Sequence, residues 1–134
     1  MFEKVRYENL NARQKENYNF HKVAGRLADY GYNSLRLNDD WNGADFLAVH
    51  VGGTTVLRVQ LKPRFSLYEK YRGKDLHIAF LTGYACYVYP HDDVLALVEP
   101  RGRFSETASW AERGWYSWRS LPAWTVELLK PYKI

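Results

Sequence analysis

Hydrophobic residues near the start of the chain recur with helical spacing. Between Ala12 and Tyr30 they are separated by three or four positions, which places them along one side of a helix: Phe20, Val23, Ala24, Leu27 and Ala28. Gly31 follows, and glycine is common just beyond the end of a helix. The pattern predicts a helix over residues 12–30 with one packed face, and then a short strand at 34–37.

Two strand-like runs surround Gly52 and Gly53. The first begins at Asp45, and the second is rich in branched residues and ends at Gln60 and Lys62. A glycine pair between such runs predicts a hairpin, so the start of one strand should lie beside the end of the other. Side chains alternate along a strand, so Gln60 and Lys62 point the same way. We therefore expect Asp45, Gln60 and Lys62 to meet at one edge of the sheet.

The second half of the chain predicts further strands and short helices. Strand-like runs come first and three short apolar segments with helix-end signals follow, at residues 75–81, 85–89, 90–98, 105–113 and 122–130. Helices and strands in this order favour a two- or three-layer domain. The fold class expected is α/β or α+β, a mixed β-sheet with a central hairpin, flanked by an N-terminal helix and short C-terminal helices.

Length and composition narrow the class of protein. The 134 residues predict a single domain over 1–134 with a real core. The net charge of +4 weakly favours an anionic partner. The single cysteine, Cys86, lies in an apolar run and is expected in the core rather than as a nucleophile. No run approaches the roughly 18 apolar residues of a membrane span and no signal peptide follows Met1. We expect a soluble cytoplasmic protein with no membrane contact.

The residues expected at the sheet edge suit metal-assisted attack on a phosphodiester. Asp45 can bind Mg²⁺, which prefers carboxylate and water oxygens, and the Gln60 carbonyl can add a neutral ligand. Lys62 can orient the attacking water or stabilise the developing negative charge. The alternative is that Asp45 ends a turn while Gln60 and Lys62 line a solvated strand face. Spacing alone leaves both interpretations open.

A basic segment follows the hairpin. Arg64, Lys70, Arg72 and Lys74 fall within eleven residues and alternate with three aromatic residues, Phe65, Tyr68 and Tyr71. Cations interleaved with aromatic rings suit contact with a nucleic-acid backbone. The alternative is a solvated loop or short helix whose long side chains cover apolar surface.

Two acidic clusters admit a metal-binding and a structural interpretation. Asp39 and Asp40 are either cation ligands or members of a polar turn at 38–43, and the turn is favoured because Asp side chains cap backbone turns. His91 stands beside Asp92 and Asp93. Three adjacent side chains converge poorly on one ion, so we interpret this cluster as helix capping.

The C-terminal part combines a helix cap with an aromatic run. Ser105 can cap a short helix. Trp115, Tyr116 and Trp118 then form either a lid over the core or a surface on which bases stack. An oligomer contact through exposed tryptophan is a third interpretation.

The hairpin begins with Gly-Ala-Asp-Phe and ends with Val-Gln-Leu-Lys. Together with the order of elements, these motifs resemble the PD-(D/E)XK nuclease superfamily, also called restriction-endonuclease-like. The resemblance covers about residues 16 to 90. Members usually carry Asp on the second strand and an acid two residues before Lys on the third, and Asp45 and Lys62 occupy those places. Gln60 replaces the acid, as in some active members. Glu16, one turn early, best matches the acid that many members place on the first helix.

This resemblance implies hydrolysis of nucleic-acid phosphodiesters with Mg²⁺ or Mn²⁺, and DNA endonuclease activity is the expected form. Asp45 and Gln60 would hold the ion, Lys62 would orient water, and Glu16 or His21 would contribute from the helix. Arg64 and the basic residues after it would grip phosphates. A homodimer or higher homo-oligomer would let a small nuclease domain reach both strands. The alternative is an inactive nuclease-like fold that binds nucleic acid or a protein, because the second acid is missing.

Overall fold

The computed structural model describes residues 1–101 and 103–134, apart from the side chain of Asp40. Its helices and strands follow in chain order: α1 (Ala12–Ala28), β1 (Tyr32–Trp41), β2 (Ala44–His50), β3 (Val56–Leu61), β4 (Ser66–Tyr68), β5 (Leu76–Thr82), β6 (Ala85–Pro90), α2 (His91–Val98), β7 (Trp115–Ser117) and α3 (Ala123–Leu129). Short 3₁₀ turns and one π-helical turn connect them. None of the helices in these residues is long and apolar enough to cross a membrane.

The main sheet has five strands in the order β1-β2-β3-β5-β6. Its neighbouring strands are antiparallel except for β3 and β5, which are parallel. A parallel pair needs a crossover, and this one carries β4, which pairs with β7 in a separate two-stranded sheet. The predicted class, a mixed sheet with an N-terminal helix and short C-terminal helices, is confirmed.

Helix α1 covers one face of the main sheet. It begins with a capping box, in which the Asn11 side chain accepts from the Gln14 amide at 2.8 Å and the Gln14 side chain accepts from the Asn11 amide at 2.9 Å. Its apolar side packs on residues from β2, β3, β5 and β6: Phe20, Val23 and Leu27 meet Phe46, Ala48, Val59, Ala79, Cys86 and Val88. The predicted helix is confirmed, although it ends two residues before Tyr30.

Cys86 belongs to this first core and is fully buried. Burial raises the pKa of its thiol to about 11, because a thiolate is poorly solvated there. A thiol with so high a pKa is a poor nucleophile at neutral pH. The prediction that Cys86 is a core residue is confirmed.

A second core lies on the other face of the sheet, under the C-terminal part of the chain. Trp118 is 8% exposed and stacks on Phe65 with ring centroids 4.5 Å apart. Tyr116 packs against the same cluster, and Trp115 is only half-buried beside Tyr68. The aromatic run is therefore a lid over this core. Trp115 keeps part of its surface exposed, and oligomerisation stays a prediction.

The polar cluster 38–43 is not one long turn, so this part of the prediction is wrong. Strand β1 continues to Trp41, and Asp39 lies exposed within it. Only Asn42 and Gly43 form the turn, with φ of 54° and 89°, and Trp41 pairs with Ala44 across it. Two positive φ values in a two-residue hairpin loop are those of a type I′ turn. β1 is an edge strand, and an edge strand tolerates polar residues because one side of it faces water.

The segment before β7 also differs from prediction. Ser105 does not cap a helix, because it lies inside a 3₁₀ turn at Phe104–Glu106 that has no side-chain cap. A π-helical turn at Ser109–Arg113 follows and ends at Gly114, whose φ of 74° is in the left-handed region that glycine adopts at helix ends. The three-residue strands β4 and β7 have too little sequence of their own to show a period, and they exist only through their mutual pairing.

Candidate active site

Asp45 joins the start of β2 to the end of β3. In this hairpin Phe46 lies opposite Val59, and continuing the same register by one residue places Asp45 opposite Gln60. The Asp45 Oδ2 atom accepts a hydrogen bond from the Leu61 amide at 2.8 Å. The pairing is thus centred on the glycine pair, as predicted, and the carboxylate lies beside the residues that end β3.

Gln60 and Lys62 lie on the face of the sheet away from α1. Gln60 is in register with Ile78 of β5, and Ile78 belongs to the second core. Residues in register on neighbouring strands share a face of the sheet. The Lys62 amide continues the ladder by donating to the Ala79 carbonyl at 2.9 Å, so its side chain keeps the alternation. Both side chains are half-buried.

Two tyrosine rings hold the Lys62 ammonium. Its Nζ lies 4.3 Å from the centroid of the Tyr68 ring and 5.5 Å from that of Tyr71. The two rings are 4.8 Å apart and tilted by 44°, so they form a corner around the cation. The Lys70 Nζ approaches the same rings at 5.5 and 5.3 Å. A cation on an aromatic face is stabilised by about 0.5–2 kcal/mol, with the larger values at desolvated sites.

The pKa values of this corner keep Lys62 charged. Burial lowers the pKa of Lys62, but Tyr71 and Tyr68 raise it by more, and the net shift is upward. Burial raises the pKa of Tyr71 against the opposing effect of Lys62, and Asp45 raises it further. The carboxylate of Asp45 is therefore close enough to act electrostatically on the ring that holds Lys62. At neutral pH Lys62 is an ammonium, suited to stabilise negative charge and not to accept a proton.

A buried histidine fixes the tyrosine corner from behind. The Tyr68 amide donates to His91 Nε2 at 3.0 Å, and His91 Nδ1 lies 2.9 Å from Asp92 Oδ1. Because Nε2 accepts, the ring proton is on Nδ1 and is donated to Asp92. Asp92 Oδ2 also accepts from the Gly73 amide at 2.8 Å, so both ends of segment 68–73 are tied to the start of α2. Burial lowers the pKa of His91, which keeps the ring neutral.

His91 therefore has a different role from the one predicted. It is the first residue of α2, but the cap position is occupied by Pro90, which makes no side-chain capping bond. Both ring nitrogens of His91 are engaged, one by the Tyr68 amide and the other by Asp92. The capping interpretation is wrong for His91, and the ring acts as a support for the segment that holds Lys62.

The basic segment holds three exposed cations and one that is paired with carboxylates. Arg64, Lys70 and Lys74 are exposed. Arg72 contacts Glu69 at 2.9 Å and Glu99 at 3.0 Å, and its hydrogen bond to Glu69, followed by that to Glu99, raises its pKa. Because two carboxylates compensate its charge, Arg72 is less suited to grip a phosphate than the other three.

Glu16 is exposed on α1. It lies four residues before Phe20 and so on the same side of the helix. Phe20 packs edge-to-face on Phe46, the neighbour of Asp45 in the chain, with centroids 5.1 Å apart. Glu16 is thus on the sheet-facing side of α1, one turn before the contact with β2, and His21 is exposed next to Phe20. Participation of Glu16 in the site stays a prediction.

The oxygen donors at this edge are of the kind that Mg²⁺ binds. Asp45 supplies a carboxylate whose Oδ2 is also fixed by the Leu61 amide, and Gln60 supplies an amide carbonyl from the neighbouring strand. Among the described side chains, which leave out Asp40 and residue 102, no three His, Cys, Asp or Glu residues are grouped as a metal cage. Mg²⁺ commonly keeps several waters and uses one or two carboxylates together with substrate phosphates, so this donor set fits such an ion.

Sequence reasoning missed the tyrosine corner and its histidine support. Tyr68 and Tyr71 stand out in the sequence only as aromatic residues among cations, a pattern that equally favours nucleic-acid contact. Their proximity to Lys62 depends on the crossover between the parallel strands β3 and β5, which folds the segment back over the end of β3. The spacing of residues along the chain contains no signal for this return.

Comparison with known proteins yields one structural likeness. The fold is similar to that of a bacterial homing endonuclease, I-Ssp6803I, with a TM-score of 0.48 and 20% sequence identity, covering 90% of this chain and 93% of that chain. No protein-family model matches the chain, and no curated protein matches it in sequence.

Proposed function

We propose that this protein hydrolyses phosphodiester bonds of nucleic acid, with DNA as the substrate and Mg²⁺ as the cofactor. The proposal is carried by one observation. Asp45, at the start of β2, is hydrogen-bonded to the end of β3, and there Gln60 and a charged Lys62 lie on one face of the sheet. A carboxylate, an amide oxygen and a cation at one edge form a site for an anion that undergoes nucleophilic attack.

Each side chain has a distinct role in this proposal. Asp45 and Gln60 would hold the ion, which when bound supplies positive charge to a phosphate oxygen and lowers the pKa of a coordinated water. Lys62, fixed on Tyr68 and Tyr71, stabilises the extra negative charge of the pentacovalent phosphorus and donates a hydrogen bond to the attacking water. Its raised pKa makes it unsuited to take the proton from that water.

A second candidate is a nuclease-like fold that binds nucleic acid without cutting it. The observation that favours it is Gln60, a neutral residue opposite Asp45 in the strand register, which leaves one carboxylate on these two strands. A site with fewer charged ligands binds divalent ions more weakly. Under this alternative, binding occurs without metal-dependent turnover.

Cleavage of supercoiled plasmid DNA in Mg²⁺ or Mn²⁺ separates the two candidates. The wild type should nick or cut, and Lys62→Ala and Asp45→Asn should each lower the rate at least about 100-fold. Lys4→Ala and Asp29→Asn change the same residue types at exposed positions outside the site and should cut like wild type. Equal residual cutting by wild type and Lys62→Ala would identify the activity as contamination. Binding in EDTA without any metal-dependent cutting would support the second candidate.

A further inference from the structure

A basic and aromatic pocket opens beside Lys62, on the edge of the sheet where β3 and β5 end. Its volume is about 440 Å³, within the range of small-molecule sites. Three tyrosines and three cations are among the residues that line it: Tyr7, Tyr18, Tyr84, Lys22, Arg26 and Lys62. No acidic residue is among the described residues that line it. A concave site lined by one sign of charge attracts an anion.

The aromatic part of the pocket combines two rings that pack on each other with one ring that is open to solvent. The Tyr7 and Tyr18 rings pack 5.2 Å apart, and Lys22 Nζ lies 5.4 Å from the Tyr18 ring. Tyr84, on the turn between β5 and β6, is 97% exposed, so its ring is open to stacking. Every nucleobase has a π-face, so such rings bind bases without strong sequence preference.

The wall that carries Tyr84 is fixed to α1. The Arg26 guanidinium donates to the Tyr84 carbonyl at 2.7 Å and to the Ile134 carbonyl at 2.8 Å. Both acceptors are main-chain oxygens, and together they fix the guanidinium between the β5–β6 turn and Ile134. Arg26 therefore orders the turn that forms one wall of the pocket. The Asn19 side chain similarly donates to the Tyr7 hydroxyl at 3.1 Å, which ties the N-terminal segment to α1.

We infer that this pocket binds one unstacked nucleotide of the substrate strand, next to the phosphate that is cleaved. The base stacks on Tyr84, and its phosphate contacts Lys22 on the α1 side of the sheet, whereas the Lys62 ammonium serves the phosphate that is cleaved on the other face. Lys62 lines the pocket and also occupies the tyrosine corner, so it connects the nucleotide site with the candidate active site. This inference rests on the proposed function and deepens it, because it assigns the enzyme to substrates with single-stranded or locally opened DNA.

Binding in EDTA tests the inference without any requirement for cutting. Fluorescence anisotropy would compare a labelled 12-nucleotide oligothymidylate with an abasic oligomer of equal length and phosphate count. Wild type should bind the oligomer with bases about tenfold more tightly, the scale of stacking one base on an aromatic ring. Tyr84→Ala should reduce this preference towards one, whereas Tyr84→Phe should retain it. Lys22→Ala should weaken the binding of both oligomers.

Matched controls lie elsewhere on the surface. Tyr30→Ala removes another exposed tyrosine and Arg119→Ala another exposed cation, and both should bind like wild type. Tyr84 is almost fully exposed, so its replacement leaves the core intact. The inference is overturned if wild type binds the two oligomers equally, or if Tyr84→Ala keeps the full preference for bases.

This outcome is distinguishable from failure of the proposed function. Suppose that wild type binds the oligomer with bases more tightly, that Tyr84→Ala loses this preference, and that no metal supports cutting of DNA. The pocket inference then stands and the nuclease proposal fails. If wild type cuts and Tyr84→Ala binds and cuts single-stranded DNA equally well, the nuclease proposal stands and the pocket inference fails.

Discussion

The Lys62 ammonium lies 4.3 Å from the centre of the Tyr68 ring, and this contact joins the end of β3 to the end of β4, in the middle of the crossover segment. Tyr68 is held in turn by His91, whose Nε2 accepts from the Tyr68 amide. The lysine is thus placed by residues that follow it by six and by twenty-nine positions in the chain. Its place depends on packing across the sheet and not on the hairpin alone.

Removal of the Tyr68 ring should slow cleavage. Tyr68→Leu keeps an apolar side chain but loses the π-face under Lys62, so we expect the single-turnover rate to fall about tenfold at saturating Mg²⁺. Tyr68→Phe retains the π-face and should keep most of the rate. The two substitutions make a matched pair, and equal rates for both would show that the ring does not position Lys62.

The turn before Asp45 should require glycine. Gly43 has a φ of 89°, and a Cβ there would lie 2.8 Å from Leu76 Cδ1, so Gly43→Ala should lower the free energy of unfolding by more than about 1 kcal/mol. Gly25 is a matched control inside α1, where a Cβ would meet nothing within 4 Å. Gly25→Ala should raise the stability by up to about 1 kcal/mol. Urea unfolding measures both, and similar effects of the two substitutions would contradict this account.

Stability should fall below neutral pH. Burial lowers the pKa of both His91 and His77 in the folded protein. The unfolded chain therefore takes up these protons at a higher pH than the folded chain does. The contribution to stability is full above the unfolded pKa of about 6.5 and is lost as the pH falls from there towards the folded values. The free energy of unfolding, measured in urea at pH 7.5 and 5.5, should be lower at pH 5.5, and an increase would refute the neutral assignment.

The exposed cations of the basic segment should behave differently in DNA binding from the one that is paired with carboxylates. Lys70→Ala removes an exposed cation beside the tyrosine corner, so it should weaken binding and reduce the slope of log affinity against log salt by about 1. Arg72→Ala removes a cation already paired with Glu69 and Glu99, so it should change the slope little. Titration of DNA in EDTA at several salt concentrations measures both slopes, and a larger change for Arg72→Ala would contradict the assignment.

The sequence predicts those parts of the fold that are encoded locally. α1 has a clear apolar stripe, and the hairpin of β2 and β3 pairs about Gly52 and Gly53 as expected. The prediction fails for strands whose extent depends on pairing with distant parts of the chain. β1 continues through Asn38 and Asp39, where its register with β2 is interrupted, to Trp41, which pairs with Ala44. β4 and β7 form only by pairing with each other.

The candidate site shows the same division. Asp45, Gln60 and Lys62 can be placed together from the hairpin register, because alternation along a strand is a local property. The positions of the supporting residues cannot be predicted in this way, because they depend on how the crossover returns to the sheet. These residues are Tyr68, Tyr71 and His91. The helical period predicts on which side of α1 Glu16 lies, but it does not predict the distance from Glu16 to the edge of the sheet.

The most direct test of the central claim is the anomalous diffraction of Mn²⁺ in crystals of the wild-type protein soaked with the metal. The account predicts a peak bound by the Asp45 carboxylate and the Gln60 side-chain oxygen at about 2.0–2.3 Å, with the Lys62 ammonium on the same side of the sheet. The absence of a peak at this edge with millimolar Mn²⁺, or a peak that leaves Asp45 uncoordinated, would contradict it.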